Sequence, residues 1–297
     1  MRVAIIGCGY VGLALSEKLQ EAGATVIGVQ RSVGGKLATK ATGAEGITAD
    51  VTEPESLSSI PSVDVIVYAV SAGGGDLDQA RAVYIDGLRN VITEFGQRED
   101  PPSRLVYTSS TGVLGDHDGE WVNESAERKP GSEKAEILCS AEDIALELSR
   151  EHGLSPLITR LGGIYGPHRY RLDRYLEKPI TPGYRNLIHR EDVAGAINHL
   201  IQSGDFDHEC IHVTDMEPVD RYEFATWLAE QLDTEPPQVV TLEERIESGE
   251  LSETARARLA AAKRVDNSRL VESGYEFRFP TFREGYSAEI ARRRHGS

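Results

Sequence analysis

The segment RVAIIGCGYVG, residues 2–12, passes from apolar, largely β-branched residues into three closely spaced glycines. Its apolar part has the composition of a strand that is buried on both faces. Gly7, Gly9 and Gly12 have the spacing G-x-G-x-x-G. In a strand–turn–helix unit, the first glycine permits a tight turn, the second lets backbone amides approach a pyrophosphate, and the third lets the helix pack closely on the strand. The segment therefore predicts a dinucleotide site, with an ordinary glycine turn as the alternative.

The residues that follow support the dinucleotide interpretation. Apolar residues at helical spacing predict a helix from Tyr10 to about Ala22, and Ala24–Gln30 predicts a second strand. The free amides in the first turn of that helix, at Tyr10 and Val11, would face an anion. The strand–turn–helix–strand order makes the glycine motif more specific than it is in isolation.

Composition sets the class of protein. A chain of 297 residues with 39% hydrophobic content is long enough for one large α/β unit and a smaller lobe. The first predicted strand begins at residue 2, and no apolar run reaches the roughly 20 residues of a membrane span, so we expect a cytoplasmic location. The three cysteines lie far apart in or beside apolar segments, which indicates buried thiols and no metal site.

The chain is strongly acidic. A formal net charge of −16 argues against nucleic acid and anionic membranes as partners, because both attract basic surfaces. The basic residues comprise 25 arginines and only seven lysines. An acidic, lysine-poor surface suits a high-salt cytoplasm, and a GC-rich genome is the alternative explanation.

The end of the second strand bears on the choice of cofactor. An acidic residue there would bind the ribose 2′-hydroxyl of NAD, but this chain has Gln30, Arg31 and Ser32. A guanidinium at Arg31 suits the 2′-phosphate of NADP. We therefore expect NADP in preference to NAD, with a solvated arginine as the alternative.

Two further strands are predicted to end beside the cofactor. Residues 47–51 form a short third strand, and residues 63–70 form a nearly continuous apolar fourth strand. The residues that these strand ends would bring to the cofactor are Asp50, Val51, Ala69, Val70 and Ser71. A turn cap is the alternative role for Asp50. A single helix is predicted after the fourth strand, from Asp78 to about Phe95.

Strands and helices continue to alternate along the chain. A fifth strand, a long helix and two more strands are predicted over Arg104–Thr108, Glu133–Arg150, Pro156–Arg160 and Ile211–Thr214. This order predicts an α/β fold, a Rossmann-like doubly wound parallel sheet of about seven strands with a small, mainly helical C-terminal lobe. The dinucleotide-binding domain is expected over residues 1–167 and 186–215, and the substrate-binding lobe over residues 168–185 and 216–297.

Five longer segments carry a family resemblance. They are LVYTSSTGVLGDHDGEWVNE (105–124), RLGGIYGP (160–167), NLIHREDVAGAI (186–197), CIHVTDMEPV (210–219) and KRVDNSRLVESGYEF (263–277). Together they resemble the extended short-chain dehydrogenase/reductases, the NAD(P)-dependent epimerase/dehydratase family, and most closely its atypical, YeeZ-like branch. The resemblance covers essentially the whole chain and implies the fold without naming a substrate.

The resemblance also implies catalytic positions. Ser110 takes the place of the family's catalytic serine or threonine, and Leu114 replaces the usual tyrosine of V-Y-G. The family's Tyr-x-x-x-Lys belongs on the helix Glu133–Arg150, which contains no tyrosine. Alignment with the family puts Lys134 at the tyrosine position and Leu138 at the lysine position. A leucine can neither hold a ribose hydroxyl nor lower the pKa of a neighbour.

Two residues are candidates for the missing proton donor. Lys134 carries an amine that burial can activate, and His117 carries an imidazole, the most common general acid at neutral pH. Each has a structural alternative: a lysine in the first turn of an acidic helix is usually solvated, and a histidine between two aspartates is usually a loop residue.

A cluster of cations follows the sixth strand. In related nucleotide-sugar enzymes this region contacts the diphosphate of the substrate, so the resemblance implies a substrate site here. The residues expected at the substrate are Thr111, His168, Arg169, Arg171 and Arg185. Arginine forks suit a phosphate or a carboxylate, and salt bridges to nearby acids are the alternative.

These observations support two hypotheses about function. One is an NAD(P)-dependent oxidoreductase or epimerase that acts by hydride transfer on a small, anionic, sugar-like or nucleotide-sugar substrate. The other is an NADP-binding sensor or regulatory protein without turnover. The absent tyrosine and lysine favour the sensor, whereas Ser110 and the cationic cluster favour the enzyme. The resemblance also implies a homodimer through the two helices that follow the fourth and fifth strands.

Overall fold

The computed structural model describes residues 1–73, 76–170, 172–204, 209–249 and 251–295. The chain divides into two compact units. Unit 1 comprises residues 1–110, 133–160 and 193–211, and unit 2 comprises residues 111–132, 161–192 and 212–297.

The strands are short and occur throughout the chain. In chain order they are β1 Arg2–Ile6, β2 Thr25–Gln30, β3 Glu45–Thr48, β4 Val65–Tyr68, β5 Arg104–Ser110, β6 Trp121–Val122, β7 Ser155–Leu161, β8 Gly163–Tyr165, β9 Tyr184–Arg185, β10 Leu187–His189, β11 Cys210–Val213, β12 Val219–Asp220 and β13 Arg264–Val265.

The helices alternate with the strands of the sheet and become dominant near the C-terminus. In chain order they are α1 Tyr10–Glu21, α2 Val33–Ala41, α3 Pro54–Leu57, α4 Leu77–Arg81, α5 Leu88–Gly96, α6 Glu133–Glu151, α7 Leu172–Leu176, α8 Arg190–Gln202, α9 Arg221–Gln231, α10 Leu242–Glu247, α11 Glu253–Ala260, α12 Ser268–Glu272 and α13 Phe282–His295. Among the described helices, none combines the length and the apolar character needed to cross a bilayer.

The central sheet has the strand order β11-β7-β5-β4-β1-β2-β3. Adjacent strands from β3 to β5 pair in parallel. Val3 to Ile6 of β1 are completely buried, which explains why this strand is apolar without alternation. The strand order reverses between β1 and β4, and open α/β sheets bind ligands at the carboxyl ends of the strands at such a point. The predicted Rossmann-like α/β fold is confirmed.

The prediction of one continuous helix over residues 78–95 is wrong in its middle part. Helix α4 ends at Arg81, a π-helical turn spans Ala82–Gly87, and α5 begins at Leu88. The hydroxyl of Tyr68 donates a hydrogen bond of 2.6 Å to the carbonyl oxygen of Val83 inside this turn. Apolar spacing cannot report such a turn, because the residues on either side remain helical and buried.

Three of the predicted strands have different boundaries. Strand β4 spans Val65–Tyr68 instead of residues 63–70, so Ala69 and Val70 follow the strand. Strand β3 ends at Thr48, so Asp50 and Val51 follow the strand instead of belonging to it. Strand β5 extends to Ser110, so Ser109 and Ser110 continue the strand. The three cysteines form no disulfide; Cys8 is fully buried as predicted, but Cys139 and Cys210 are only half-buried.

Unit 2 combines two-stranded pairings with an aromatic core. Strands β8 and β10 pair in parallel, β6 pairs in parallel with β13, and β9 pairs antiparallel with β12. Tyr165 stacks on Tyr286 at 4.3 Å between ring centroids, and Phe224 contacts both Phe282 and Tyr286. This core attaches α9 and α13 to the short strands of the unit.

Candidate functional site

The turn after β1 is shaped by backbone contacts that only glycine permits. Gly7 has a φ of +86°, and a Cβ atom there would lie 2.7 Å from the Cα and the backbone nitrogen of Val70. The amides of Gly7 and Cys8 both donate to the carbonyl oxygen of Val29. The turn is thereby held against the ends of β2 and β4, and it brings Gly7 beside Ala69 and Val70, two residues that were predicted near the cofactor.

The other two glycines of the motif have different surroundings. A Cβ at Gly12 would lie 3.0 Å from the Cγ2 of Ile5 and 3.1 Å from the carbonyl oxygen of Gly7, so the helix packs too closely for a side chain. A Cβ at Gly9 would meet only the carbonyl oxygen of Gly7, at 3.9 Å. Packing within the protein therefore explains Gly12 and leaves open space beside Gly9.

The space beside Gly9 adjoins the N-terminus of α1. Gly9 is the N-cap residue, no side chain caps the helix there, and the first turn contains no acidic residue. The first amides of a helix have no intrahelical acceptor and carry a partial positive charge, so they suit a phosphate. An uncapped helix start beside a side-chain-free position therefore fits a pyrophosphate, with Tyr10 and Val11 in the first turn.

The end of β2 leads directly into a second capped helix. The side-chain amide of Gln30 donates to the carbonyl oxygen of Cys8, which ties this strand end to the glycine turn. The hydroxyl of Ser32 accepts a hydrogen bond of 3.1 Å from the amide of Gly35 and caps α2. Arg31 lies between them and is exposed. The cation is thus presented to solvent beside a helix N-terminus that has no acid in its first turn.

The loops after β3 and β4 use their polar groups locally. The Oδ1 of Asp50 accepts hydrogen bonds from the amide and the hydroxyl of Thr52, at 3.0 and 2.8 Å, which is the turn-capping alternative for this residue. Val51 is buried, and its carbonyl oxygen accepts a hydrogen bond from Asn90. The hydroxyl of Ser71 accepts a hydrogen bond of 3.1 Å from the amide of Gly73.

Ser110 lies at the end of β5, beside a buried ion pair that sequence reasoning did not identify. The hydroxyl of Ser109 donates to Glu142 on α6 at 2.6 Å, and Arg160 on β7 forms two hydrogen bonds with the same carboxylate at 3.0 and 2.8 Å. All three side chains are almost fully buried. Only a weak indication of this ion pair is present in the sequence. Successive residues of a strand point to opposite faces of the sheet, so Ser109 and Ser110 must point to opposite sides.

Helix α6 carries the positions of the family's Tyr-x-x-x-Lys. Its nineteen residues include no tyrosine. Lys134, in the first turn, is half-buried, and its ammonium donates to the carbonyl oxygen of Gly73 at 3.4 Å. Leu138, one turn later, packs against the main hydrophobic core.

The remaining predicted site residues belong to unit 2. Thr111 is buried in the 3₁₀ turn Thr111–Leu114. The ring Nε2 of His117 lies 3.2 Å from the carbonyl oxygen of Glu127, and its backbone amide donates to Ala262, so His117 is part of a local loop network. His168 has a φ of +61°, an uncommon value for a residue other than glycine.

The predicted arginines of unit 2 differ in their surroundings. The guanidinium of Arg185 lies over the rings of Tyr175 and Phe224, at 4.3 and 5.0 Å from their centroids. The amide of Arg169 donates to the carbonyl oxygen of Gly166. Arg171 lies outside the described residues.

Unit 2 also buries two cations that sequence reasoning missed. Arg221 donates to the carbonyl oxygens of Arg258 and Leu259 near the end of α11, and also to Pro182. Lys263 donates to the carbonyl oxygen of Gly115 at 2.8 Å, and burial lowers its pKa to about 8. Burial, followed by the charge of Arg185, lowers the pKa of Arg221 to about 10. Unit 2 thus buries these two cations as well as the carboxylates of Asp192, Asp215 and Glu289.

The predicted residues separate clearly between the units. Unit 1 contains the predicted cofactor residues together with Ser110 and Lys134, and unit 2 contains Thr111, His117, His168, Arg169 and Arg185. The described residues contain no group of three potential metal ligands placed to bind an ion.

Comparison with known proteins agrees with the geometry of unit 1. Residues 3–217 match the NAD dependent epimerase/dehydratase family. The chain belongs to this family. The resemblance expected from the sequence motifs is therefore confirmed.

Two relatives of the family are similar along almost their full length. The protein YeeZ of Escherichia coli K12 is 29% identical over 291 residues, which are 94% of this chain and 96% of YeeZ. A Methylobacillus flagellatus structure, provisionally described as an NAD-dependent epimerase/dehydratase, is 29% identical, with a TM-score of 0.77 over 99% of this chain and 98% of that one.

A more distant structure, that of a UDP-glucose 4-epimerase, has the same fold. The Thermus thermophilus UDP-glucose 4-epimerase, solved in complex with NAD, is 20% identical, with a TM-score of 0.75 over 96% of each chain. At this level of identity the similarity concerns the fold alone.

Proposed function

We propose that this chain is an NADP-dependent oxidoreductase or epimerase that acts on a small, anionic, sugar-like substrate. The observation that carries the proposal is the cradle at the carboxyl end of β1, where an uncapped helix start adjoins the open space beside Gly9. A bound nicotinamide dinucleotide would supply or accept the hydride. The pyrophosphate would be held by the amides of the first turn of α1.

The preference for NADP is supported by the end of β2. Arg31 is exposed there, Ser32 caps α2, and neither Gln30 nor the first turn of α2 provides a carboxylate. A carboxylate would repel a 2′-phosphate, whereas a guanidinium and a helix N-terminus attract it. Arg31 would therefore bind the phosphate that distinguishes NADP from NAD.

The anionic character of the substrate is supported by the charges of unit 2. Arg185, Arg221 and Lys263 are basic groups in a chain of net charge −16, and burial, followed by the charge of Arg185, lowers the pKa of Arg221. A phosphate or carboxylate bound near them would offset this repulsion. A structural neighbour, the UDP-glucuronic acid 4-epimerase of Bacillus cereus in complex with UDP-glucuronic acid and NAD, acts on a substrate of this class.

Ser110 would orient the substrate oxygen by hydrogen bonding. It lies at the carboxyl end of β5, and β5 pairs with β4, whose loop was predicted to contact the cofactor. The second candidate function, an NADP-binding sensor without turnover, is favoured by α6, because this helix has no tyrosine and Leu138 packs in the core.

Ligand binding and turnover separate the two candidates. We expect NADPH to quench or enhance intrinsic fluorescence at lower concentration than NADH. We also expect turnover with at least one member of a panel of UDP-sugars and keto sugars, and Ser110→Ala should lower kcat about 10²-fold with little change in cofactor affinity. NADPH binding without turnover on the whole panel favours the sensor, and absence of binding contradicts both candidates.

A further inference from the structure

Tyr84 is a buried tyrosine to which the proposed function assigns no role. It lies in the π-helical turn Ala82–Gly87 and is 9% exposed. The amide of Ala72 donates to its phenolic oxygen at 3.2 Å. Accepting this bond does not use the phenolic hydrogen, so the hydroxyl can still donate a proton.

The π turn is fixed by two contacts with the sheet and its loops. The hydroxyl of Tyr68 on β4 donates to the carbonyl oxygen of Val83. A Cβ at Gly87 would lie 2.6 Å from the Cγ2 of Val51, so glycine allows the helix to approach this loop closely. One extra residue in the turn rotates the side chains that follow relative to α4, and such turns are frequent at functional sites.

Lys134 reaches the same loop from a different helix. Its ammonium donates to the carbonyl oxygen of Gly73, one residue beyond the Ala72 amide that contacts Tyr84. Arg81 at the end of α4 forms a 2.6 Å ion pair with Glu133 at the start of α6, which holds the two helices together. A phenol and an ammonium are thus attached to consecutive residues of the loop that follows β4.

We propose that Tyr84 is the proton donor of this chain and that Lys134 is the cation that stabilises its phenolate. The proposal rests on the proposed function and deepens it. The Tyr-x-x-x-Lys motif places a phenol and an amine on one helix; here the π turn and α6 each contribute one group, and the two groups bind consecutive residues of one loop. Ser110, at the end of the adjacent strand β5, belongs to the same unit.

In the direction of carbonyl reduction, Tyr84 protonates the substrate oxygen as the hydride is transferred. A bound NADPH would supply the hydride and become NADP⁺; as the C=O π bond of the substrate breaks, its carbon would gain the C–H bond and its oxygen would take the proton of Tyr84. Lys134 stabilises the resulting phenolate, and water returns a proton to it. In the reverse direction, the phenolate accepts the proton of the substrate hydroxyl.

The neighbouring ionisable groups do not compete for this role. Burial raises the pKa of Tyr68 and of Tyr107 well above the ordinary value, so neither titrates near neutral pH. Arg81 and Glu133 are partly exposed and neutralise each other. Tyr84 and Lys134 are assigned their roles by geometry, through their hydrogen bonds to Ala72 and Gly73.

A crystal structure of the intact protein with NADP⁺ tests the placement directly. A substrate carbon about 3–3.5 Å from the nicotinamide C4, with its oxygen hydrogen-bonded to the donor, requires a Tyr84 oxygen about 4–6 Å from C4. A distance above about 6 Å overturns the proposal for Tyr84 but leaves the proposed function intact. Failure of NADP⁺ to bind in solution contradicts the proposed function itself, and with it this inference.

Variants test the roles of the two groups, with 9,10-phenanthrenequinone as the carbonyl probe for NADPH oxidation. Tyr84→Phe should lower the rate about 10²-fold, flatten its pH profile and leave NADPH affinity within about twofold. Lys134→Met should shift the pH profile. The matched controls Tyr222→Phe and Lys178→Met alter exposed residues and should change neither the rate nor the profile.

Each outcome supports or overturns the proposal. If Tyr84 only supports the loop, Tyr84→Phe will change NADPH affinity or unfolding while the pH profile keeps its shape. Full activity of Tyr84→Phe also overturns the proposal. If the wild type does not reduce the quinone, the distance in the NADP⁺ crystal structure decides alone.

Discussion

Gly9 and Gly12 belong to one motif but are required for different physical reasons. At Gly12 the protein itself crowds an added side chain, through Ile5 and the carbonyl oxygen of Gly7. At Gly9 an added Cβ would meet only the carbonyl oxygen of Gly7, at 3.9 Å, so the proposed pyrophosphate is the reason for glycine at this position. Substitutions at the two positions therefore have separable consequences.

Gly9→Ala is expected to weaken dinucleotide binding about tenfold or more while the stability of the chain changes by less than about 1 kcal/mol. The added methyl group occupies the space assigned to the pyrophosphate. Fluorescence titration with NADPH and thermal unfolding measure the two effects. Gly12→Ala is the control, because overpacking there costs stability, about 1–3 kcal/mol. Unchanged NADPH affinity in Gly9→Ala would place the ligand elsewhere.

Arg31 provides the prediction for cofactor choice. The wild type should bind NADPH more tightly than NADH. Arg31→Ala should lower the ratio of the two affinities by about tenfold, because a charge-assisted contact with the 2′-phosphate is lost. NADH affinity should be unaffected. Arg89→Ala, another exposed arginine in unit 1, is the control and should leave the ratio unchanged. Equal affinities for the two cofactors in the wild type contradict the NADP assignment.

Helix α6 contacts the sheet through a buried carboxylate as well as through its apolar face. Glu142 accepts hydrogen bonds from Ser109 on β5 and from Arg160 on β7, so it joins three elements that are distant in sequence. The Nη1 of Arg160 has no hydrogen-bond partner among the described atoms, which makes the carboxylate the main compensation for this buried cation. Removal of Glu142 would leave an uncompensated buried charge.

Glu142→Leu is therefore expected to lower the free energy of unfolding by about 3–5 kcal/mol in a denaturant titration. Adding Arg160→Met should restore much of that loss, because the double variant no longer buries an unpaired charge. Glu147→Ala, on an exposed part of α6, should have little effect. A double variant no more stable than Glu142→Leu would show that lost packing, and not lost charge pairing, causes the decrease in the free energy of unfolding.

The chain as a whole combines a net charge of −16 with buried cations in unit 2. Lys263 is 6% exposed, and burial lowers its pKa from 10.5 to about 8, with Asp116 partly opposing the effect and Arg221 adding to it. Because the folded state disfavours the protonated amine, Lys263 destabilises the fold fully below pH 8. This penalty disappears as the pH rises from about 8 to 10.5.

The stability of the wild type relative to Lys263→Met should thus increase over this pH range, by at most about 3 kcal/mol. Denaturant titrations of both proteins between pH 7 and pH 10.5 measure the difference. Lys129→Met is a control for removing a lysine and should show no comparable slope. A pH-independent difference would mean that Lys263 keeps an ordinary affinity for protons in the folded state.

Short-range patterns explain why most of the sheet was predictable. Residues 2–12 specify a strand, a turn and a helix through buried apolar residues and glycines, and the structure places β1 and α1 within a residue or two of the expected bounds. The π turn Ala82–Gly87 escaped prediction because its residues remain apolar and helical in spacing. The sequence left two alternative roles for Asp50, a cofactor contact and a turn cap, because its contact with Thr52 depends on where β3 ends.

The sequence by itself determined the fold class and predicted a dinucleotide site after β1, because strand burial and glycine spacing are patterns of residues that are close along the chain. Only the tertiary structure decided which polar groups share a location. Ser109, Glu142 and Arg160 meet beneath α6, and Tyr84 and Lys134 reach one loop from separate helices. These pairings depend on how distant segments pack and on the free-energy cost of burying a polar group without a partner. The periodicity of nearby residues reports neither the packing nor this cost.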